Sequence, residues 1–343
     1  MTRYQPRNVL VTGGAGFIGS HFVRHLLAGD LRVRILNLDL LTYAGSLRNL
    51  EHLPDAGRHT FVRGDIRDRP LVDRLLREHR IDTVVHFAAE SHVGRSIADP
   101  ADFIATNLQG TFNLLEACRA CWLDEEGRRP GDCRFHHIST DEVYGSLAPG
   151  APAFTEQTAY APNSPYSATK AGADHLVRSW FHTWGLPVTT SNCSNNYGPH
   201  QHREKLMPTV IRACASGAPI PVFGDGSQIR DWLYVEDHCA AVDTVIRQGR
   251  VGEVYNIGGD NEWVNIDLVR EICAVMDGLL PAGAPHERLI EFVEDRPGHD
   301  WRYAIDGTRI REAFGWRPDS DFGERLASTC RWHLDHACDS RQS

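Results

Sequence analysis

Asn8-Val-Leu-Val-Thr-Gly-Gly-Ala-Gly-Phe-Ile-Gly19 decides the fold. Asn8 to Thr12 is a short apolar run of buried-strand type, and helical periodicity starts at Phe17 and continues to Leu27. Between them, Gly14-x-Gly16-x-x-Gly19 matches the dinucleotide-binding fingerprint, and Gly13-x-x-Gly16-x-x-Gly19 matches its wider variant. Glycine permits the tight turn and lets backbone approach a pyrophosphate, while the next helix offers its N-terminus to that anion. The pattern carries weight because it sits between a strand and a helix, where the mechanism needs it.

The same alternation continues outward. Val33 to Leu38 reads as a second strand ending at Asp39, and Thr60 to Arg63 as a third, ending at Gly64-Asp65. Leu71 to Glu78 is an amphipathic helix, Asp82 to His86 a fourth strand, and Ala101 to Cys121 a long helix. Arg134 to Ile138 is a fifth strand leading into Thr140. Such order predicts an α/β fold, a Rossmann-type doubly wound parallel sheet covered on both faces by helices. Ser164 to Trp184 reads as a long helix with Pro165 in its first turn, and Val188 to Asn192 as a further strand. Beyond Asn195 the pattern becomes irregular, with a helix from Leu206 to Ser216 and a strand from Pro219 to Phe223. We expect an NAD-binding domain over residues 1–190, joined by a returning strand near 253–257, and a smaller interleaved substrate lobe over 191–343. The residues after about His336 read as a polar tail.

Asp39 lies 20 residues past Gly19, at the end of the second strand. A carboxylate there accepts from ribose hydroxyls and repels a 2′-phosphate, so the expected cofactor is NAD rather than NADP. Asp65 reads either as an adenine contact or as ordinary Gly-Asp turn chemistry.

Composition narrows the class. In 343 residues, 36 basic and 45 acidic side chains leave a net charge of −9, which does not favour nucleic-acid binding. No apolar run is long enough to span a membrane, and the N-terminus lacks a signal-peptide pattern, so the expected location is the cytoplasm. Nine cysteines are scattered through apolar stretches, as free, buried thiols of a reducing compartment are. Cys118-x-x-Cys121 falls inside a helical stretch with no second pair, so it reads as core, and no metal is expected.

Thr140-Asp141-Glu142 carries the chemistry. Acids at the carboxyl end of a strand in such a sheet face the ligand crevice. Tyr166 and Lys170 follow at i,i+4 spacing, on one face of one helix. A phenol is a poor base at its ordinary value of about 10; lowering it to about 7 asks for roughly 4 kcal/mol of differential stabilisation. The ammonium of Lys170 is expected to supply part of this, and to bond the nicotinamide ribose. Adjacent Asp141 and Glu142 push their ionisations apart, which provides one acid and one base.

These residues together resemble the extended short-chain dehydrogenase/reductase superfamily. Within it, Thr-Asp-Glu-Val-Tyr-Gly at 140–145 resembles the dTDP-glucose 4,6-dehydratase family. So do His86-Phe-Ala-Ala-Glu-Ser-His92, Ser164-Pro-Tyr-Ser-Ala-Thr-Lys170, Asn195-Asn-Tyr-Gly-Pro199, Glu204-Lys-Leu206, the Gln228–His238 stretch and Asp295-Arg-Pro-Gly-His-Asp300. The resemblance implies that Tyr166, helped by Thr140, takes the C4 hydroxyl proton of a nucleotide sugar while C4 is oxidised. It implies that Glu142 then removes the C5 proton, Asp141 protonates the departing C6 hydroxyl, a hydride returns to C6, and C5 is reprotonated. Cofactor contacts by Gly13, Gly16, Phe17, Ile18, Gly19, Asp39, Asp65, Ile66, Ala88, Tyr166 and Lys170 are implied with it. So are substrate contacts by Ser91, Asn195, Lys205, Leu206, Phe223, Arg230, Asn265, Arg296 and His299. Guanidinium groups suit a diphosphate, and Phe223 is placed to stack on a base. His299 either faces the ligand or holds a loop. A homodimer joined through the two long helices is also implied.

Three features depart from the family's pattern: Leu40 in place of a lysine, Gly94 within His-Val-Gly-Arg-Ser, and the segment His200-Gln-His-Arg203. None is a catalytic position. The rival readings are another NAD-dependent nucleotide-sugar enzyme (a UDP-glucose 4,6-dehydratase, a 4-epimerase or a UDP-hexuronate decarboxylase) and a noncatalytic NAD-binding protein on the same fold. An epimerase has no need of elimination acids, and a noncatalytic relative has no need of Tyr166 or Lys170.

Overall fold

The computed structural model describes residues 3–129, 131–319 and 321–336, so the expected polar tail lies outside the described residues. Twelve strands are described: β1 (Asn8–Thr12), β2 (Arg34–Asp39), β3 (His59–Arg63), β4 (Thr83–His86), β5 (Arg134–Thr140), β6 (Val188–Cys193), β7 (Asn195–Tyr197), β8 (Ile220–Phe223), β9 (Ile229–Tyr234), β10 (Val254–Ile257), β11 (Glu262–Val264) and β12 (Ile290–Val293). Seven of them form one sheet in the order β10-β6-β5-β4-β1-β2-β3, every pair parallel. This is the doubly wound arrangement, and the strand order reverses between β1 and β4. The strand returning to the main sheet is β10, which pairs with β6.

Strands covered on both faces by helices tend to apolar runs: β1 and the Val84-Val85 centre of β4 are such runs, while β5 is buried throughout although most of its residues are polar. On one face the helices Phe17–Gly29 and Val235–Gln248 enclose Phe22, Val23, Leu26, Val242 and Ile246. On the other, Leu75, Leu76, Leu114, Leu115, Trp122 and Val177 form a second core. Helix Val235–Gln248 comes from the second half of the chain yet packs on the first helix, so the two halves interleave. A third core of Met207, Ile211, Leu268, Ile272 and Leu326 lies beside the small sheets β11-β9-β7 and β12-β8.

The long helix expected from Ala101 runs on to Glu125, with wide π-type turns over Ile104–Gly110 and Arg119–Glu125. These leave the helical periodicity of the sequence intact, since each absorbs an extra residue without breaking the helix. The eight described cysteines are buried and unpaired, Cys118 and Cys121 among them. Among the described residues, no cluster is suited to a metal ion and no helix is long and apolar enough to cross a membrane.

Register brings the chemistry to one edge. Thr12 lies opposite Leu38 and His86, and Thr140 opposite Cys193. The glycine loop, Asp39 and the acid pair therefore all stand at the carboxyl ends of neighbouring strands.

Candidate active site

The glycine loop is built around the β1–β4 switch. Gly13 has φ +71°, and a Cβ there would lie 2.6 Å from the Ala88 nitrogen, so no other residue fits. A Cβ on Gly16 would meet one atom, the Gly13 carbonyl oxygen at 3.2 Å, so the space before it is otherwise open. The helix Phe17–Gly29 has no acidic residue in its first turn and no side-chain cap. Its leading N–H groups, from Phe17, Ile18 and Gly19, are thus free to meet an anion. Asp39 fixes the loop from the side: Ala15 N donates to Oδ2 at 2.9 Å and Leu41 N to Oδ1 at 2.8 Å. Each oxygen keeps a lone pair for a ribose hydroxyl. Burial raises the Asp39 carboxyl, and those two N–H groups oppose the rise. Asp65 pairs with Arg67 at 2.6 Å, Ile66 is buried, and Ala88 N donates to Thr12 Oγ1 at 3.3 Å. These residues fit a dinucleotide.

The acid pair sits in a 3₁₀ turn, Asp141–Tyr144, which Thr140 caps by accepting from Glu142 N at 3.3 Å. Thr140 Oγ1 also donates to Asp141 Oδ1 at 3.3 Å, while Asp141 Oδ2 is buried with no partner. The two carboxyls stand in different surroundings. Burial, then the neighbouring Glu142 and Asp231, push Asp141 well above the usual carboxylate range. Burial raises Glu142 as well, but Lys205, Arg296 and Arg230 all oppose it.

The helix Pro165–Trp184 delivers Tyr166 and Lys170. Ser164 and Ser167 form a reciprocal capping box and Pro165 opens the first turn, which fixes the register of the helix over the site. Both side chains are buried, and Lys170 Nζ donates to the Ile138 carbonyl at 2.7 Å. The expected lowering of the tyrosine is not what the structure shows. Burial, then Glu142 and Cys193, hold the Tyr166 phenol well above its ordinary value, with Thr140 as the one opposing influence. The lysine is lowered by its own burial, and its donated proton goes to backbone rather than to the ring.

The second half of the chain brings cations to the acids. Lys205, Arg230 and Arg296 all act electrostatically on Glu142. Lys205 Nζ donates to the Ser91 carbonyl at 3.0 Å and directly precedes Leu206, the first residue of the helix Leu206–Ser216. Arg230 is buried, donating to the Ile229 and Asp300 carbonyls at 2.7 and 2.9 Å, with its guanidinium 4.2 Å above the Tyr303 ring. Arg296 Nε, Asn195 Oδ1 and Asn265 Oδ1 are buried polar atoms without a partner. Such atoms are rarely left unsatisfied, and a polar ligand is what would complete them. His299 Nδ1 lies 2.6 Å from Asp295 Oδ1, which ties down its loop. Phe223 is 46% exposed at the end of β8.

Sequence reading missed a buried polar network behind the acids. Tyr144 OH donates to Asn256 Oδ1 and accepts from Asn192 Nδ2, both at 2.9 Å. Asn192 Nδ2 also reaches Tyr160 OH, and that hydroxyl donates to Asp174 Oδ2 at 2.9 Å. Asp174 follows Lys170 by four residues, and this spacing was the available signal.

Comparison with known proteins places this geometry. The sequence family described as GDP-mannose 4,6 dehydratase matches residues 10–329. A dTDP-glucose 4,6-dehydratase of Neisseria gonorrhoeae is 54% identical over 334 residues, 96% of each chain. One from Escherichia coli K12 is 50% identical, over 96% of this chain and 93% of its own. A dTDP-glucose 4,6-dehydratase of Streptomyces venezuelae, solved with NAD and TYD bound, superposes with TM-score 0.86 at 44% identity, covering 96% of this chain and 98% of its own. UDP-glucose 4-epimerase of Thermotoga maritima, with UDP-glucose, shares the fold at TM-score 0.83 and 27% identity, covering 96% of this chain and 99% of its own. On the fold, the acid turn and these identities, the chain belongs to the dTDP-glucose 4,6-dehydratase family of the extended short-chain dehydrogenase/reductases.

Proposed function

We infer that the chain converts dTDP-glucose to dTDP-4-keto-6-deoxyglucose and water, as an NAD-dependent carbon-oxygen lyase. One observation carries the reading. Two carboxyls in one turn are both raised by burial but are treated unequally: Glu142 and Asp231 add to the rise of Asp141, while Lys205, Arg296 and Arg230 oppose the rise of Glu142. Elimination across C5 and C6 needs that division; epimerisation at C4 does not.

NAD, held by Gly13, Gly16, Phe17, Ile18, Gly19, Asp39, Asp65, Ile66 and Ala88, supplies the hydride acceptor for C4 and the donor for C6. The protein does the rest. Tyr166 takes the C4 hydroxyl proton, with Thr140 holding that hydroxyl in place. The 4-ketone acidifies the C5 proton, and Glu142 removes it. Asp141 gives its proton to the departing C6 hydroxyl, and C5 is reprotonated once the hydride is back on C6. Lys170 holds the nicotinamide ribose and stabilises the Tyr166 phenolate. Since burial, Glu142 and Cys193 oppose ionisation of that phenol, the base is competent with the oxidised, cationic cofactor beside it. Lys205, Arg230, Arg296, Asn195 and Asn265 hold the sugar and diphosphate, and Ser91, Leu206 and His299 line the same pocket. Phe223 lies beside the base.

Two domains accompany this reading: an NAD-binding part over 1–190 with the strand near 253–257, and a sugar-nucleotide lobe over 191–343. The helices over 101–125 and 165–184 carry the partly exposed Ile104, Phe112 and Trp184, which suit the interface of a homodimer. The enzyme works in the cytoplasm, where its eight described buried thiols stay reduced.

Parallel incubation with dTDP-glucose and UDP-glucose, followed by the alkaline absorbance of a 4-keto sugar, tests the assignment. Signal from dTDP-glucose is expected. Signal from UDP-glucose alone would point to the uridine dehydratase, and a C4 epimer without signal to an epimerase.

A further inference from the structure

The helix Pro165–Trp184 carries Tyr166, Lys170 and Asp174 at successive i,i+4 steps, so all three share a face. The first two have roles above; Asp174 has none. It is as buried as Lys170, at 6% and 5% exposure. Oδ2 accepts from Ser139 Oγ at 2.8 Å and from Tyr160 OH at 2.9 Å. Oδ1 lies 3.0 Å from His137 Nε2 but has no aligned hydrogen bond. Lys170 meets the residue between, donating to the Ile138 carbonyl. Lysine and aspartate thus engage three successive residues of β5 from one helix face.

A buried ammonium needs a counter-charge, because its desolvation otherwise favours the neutral amine. Around the pair stand His86 on β4, His137 on β5, Cys193 on β6, Tyr144 in the acid turn, Tyr160 before the helix and His175 within it. Burial pushes His86 and His137 well below the ordinary range, so both are neutral. Burial pushes the Cys193 thiol up to about 12 and the Tyr144 and Tyr160 phenols higher still, so they too are neutral. His175 is exposed, where solvent screens it. Asp174 remains as the leading charge that favours the protonated lysine.

We propose that Asp174 is a positioning residue whose carboxylate is the buried counter-charge that keeps the Lys170 ammonium charged and pinned to β5 beside Tyr166. The proposal rests on the dehydratase reading for what Lys170 does in the reaction, but not for the charge itself.

The composition makes the test direct. Lys170 and Lys205 are the only 2 lysines in the chain, so lysine labelled with ¹³C at Cε gives one signal for each. Lys205→Arg assigns them. In the full chain with NAD, Asp174→Asn keeps an acceptor for Ser139 and Tyr160 but removes the charge. We expect the Lys170 titration midpoint to fall by at least about half a pH unit, roughly a threefold loss of proton affinity. A smaller change overturns the proposal. Turnover gives a second reading: the ammonium gives up its proton at lower pH, so the alkaline limb of the kcat profile moves to lower pH while KM stays within about twofold. Lower kcat and Tm with that limb unmoved means a structural role only, and overturns it. If Asp174→Asn does not fold, the wild-type chain serves. Burial raises Asp174 to about 6, so the Lys170 signal should step as Asp174 ionises; a flat signal there overturns the proposal. The NMR arm needs no turnover, so failure of the dehydratase reading is seen separately, in the nucleotide-sugar incubations.

Discussion

Asp141 and Glu142 are neighbours in sequence, yet burial and cations treat them in different ways. That asymmetry sets a pH dependence. Glu142 must be ionised to act as a base, so activity falls as pH drops through its value. Asp141 must be protonated to act as an acid, so activity also falls as pH rises through its own. Both carboxyls are raised by burial, so a bell-shaped kcat profile displaced toward higher pH than free carboxyls is expected. Glu142→Gln should flatten its acidic limb. The same variant should slow water loss by about 100-fold or more while still reducing NAD, read at 340 nm. Normal dehydration by Glu142→Gln would remove it from the role of base. Tyr166→Phe should slow the first oxidation by about 100- to 10,000-fold. The placement of both residues was legible in the sequence, Glu142 after a strand and Tyr166 four residues before Lys170 on one helix face, while their separate roles come from the family resemblance. The ionisation of Tyr166 was not legible. Its value depends on burial and on Glu142 across the pocket, and neither shows in a run of letters.

At the scale of elements, the helix Pro165–Trp184 sets the geometry. Its capping box holds the first turn, and Tyr166 lies in that turn. Ser164→Ala should cost about 1 kcal/mol of stability, read as a lowered Tm, and should lower kcat more than it changes KM. A change in Tm with no change in kcat would separate the cap from catalysis. The cap was visible as Ser164-Pro165 ahead of an apolar-periodic stretch. The wide turns over Ile104–Gly110 were not. One of them places Asn107, which clamps the Glu90 backbone from both sides and donates to Thr169 on the tyrosine helix. Such a turn leaves no mark in the periodic pattern of the sequence.

In the whole molecule, a parallel sheet gathers the glycine loop, Asp39 and the acids at one edge, and segments from the second half bring cations to face them. The sheet was legible because short strands and amphipathic helices alternate along the first half of the chain, with β1 and β4 reading as apolar runs. The placement of Lys205, Arg230 and Arg296 was not, because their meeting at Glu142 depends on loops that carry no periodicity. Arg296 has a buried nitrogen awaiting a partner. Arg296→Ala should therefore raise KM for the nucleotide sugar by about tenfold or more, as loss of a charged hydrogen bond does, with a smaller effect on kcat. Unchanged KM would place Arg296 outside the diphosphate site. The account as a whole rests on oxidation at one sugar carbon enabling loss of water from its neighbours. dTDP-glucose carrying deuterium at C4 tests this most directly, with the product read by mass spectrometry and NMR. Deuterium on C6 of the 4-keto-6-deoxy product is expected; deuterium lost to water, or retained at C4, would contradict it.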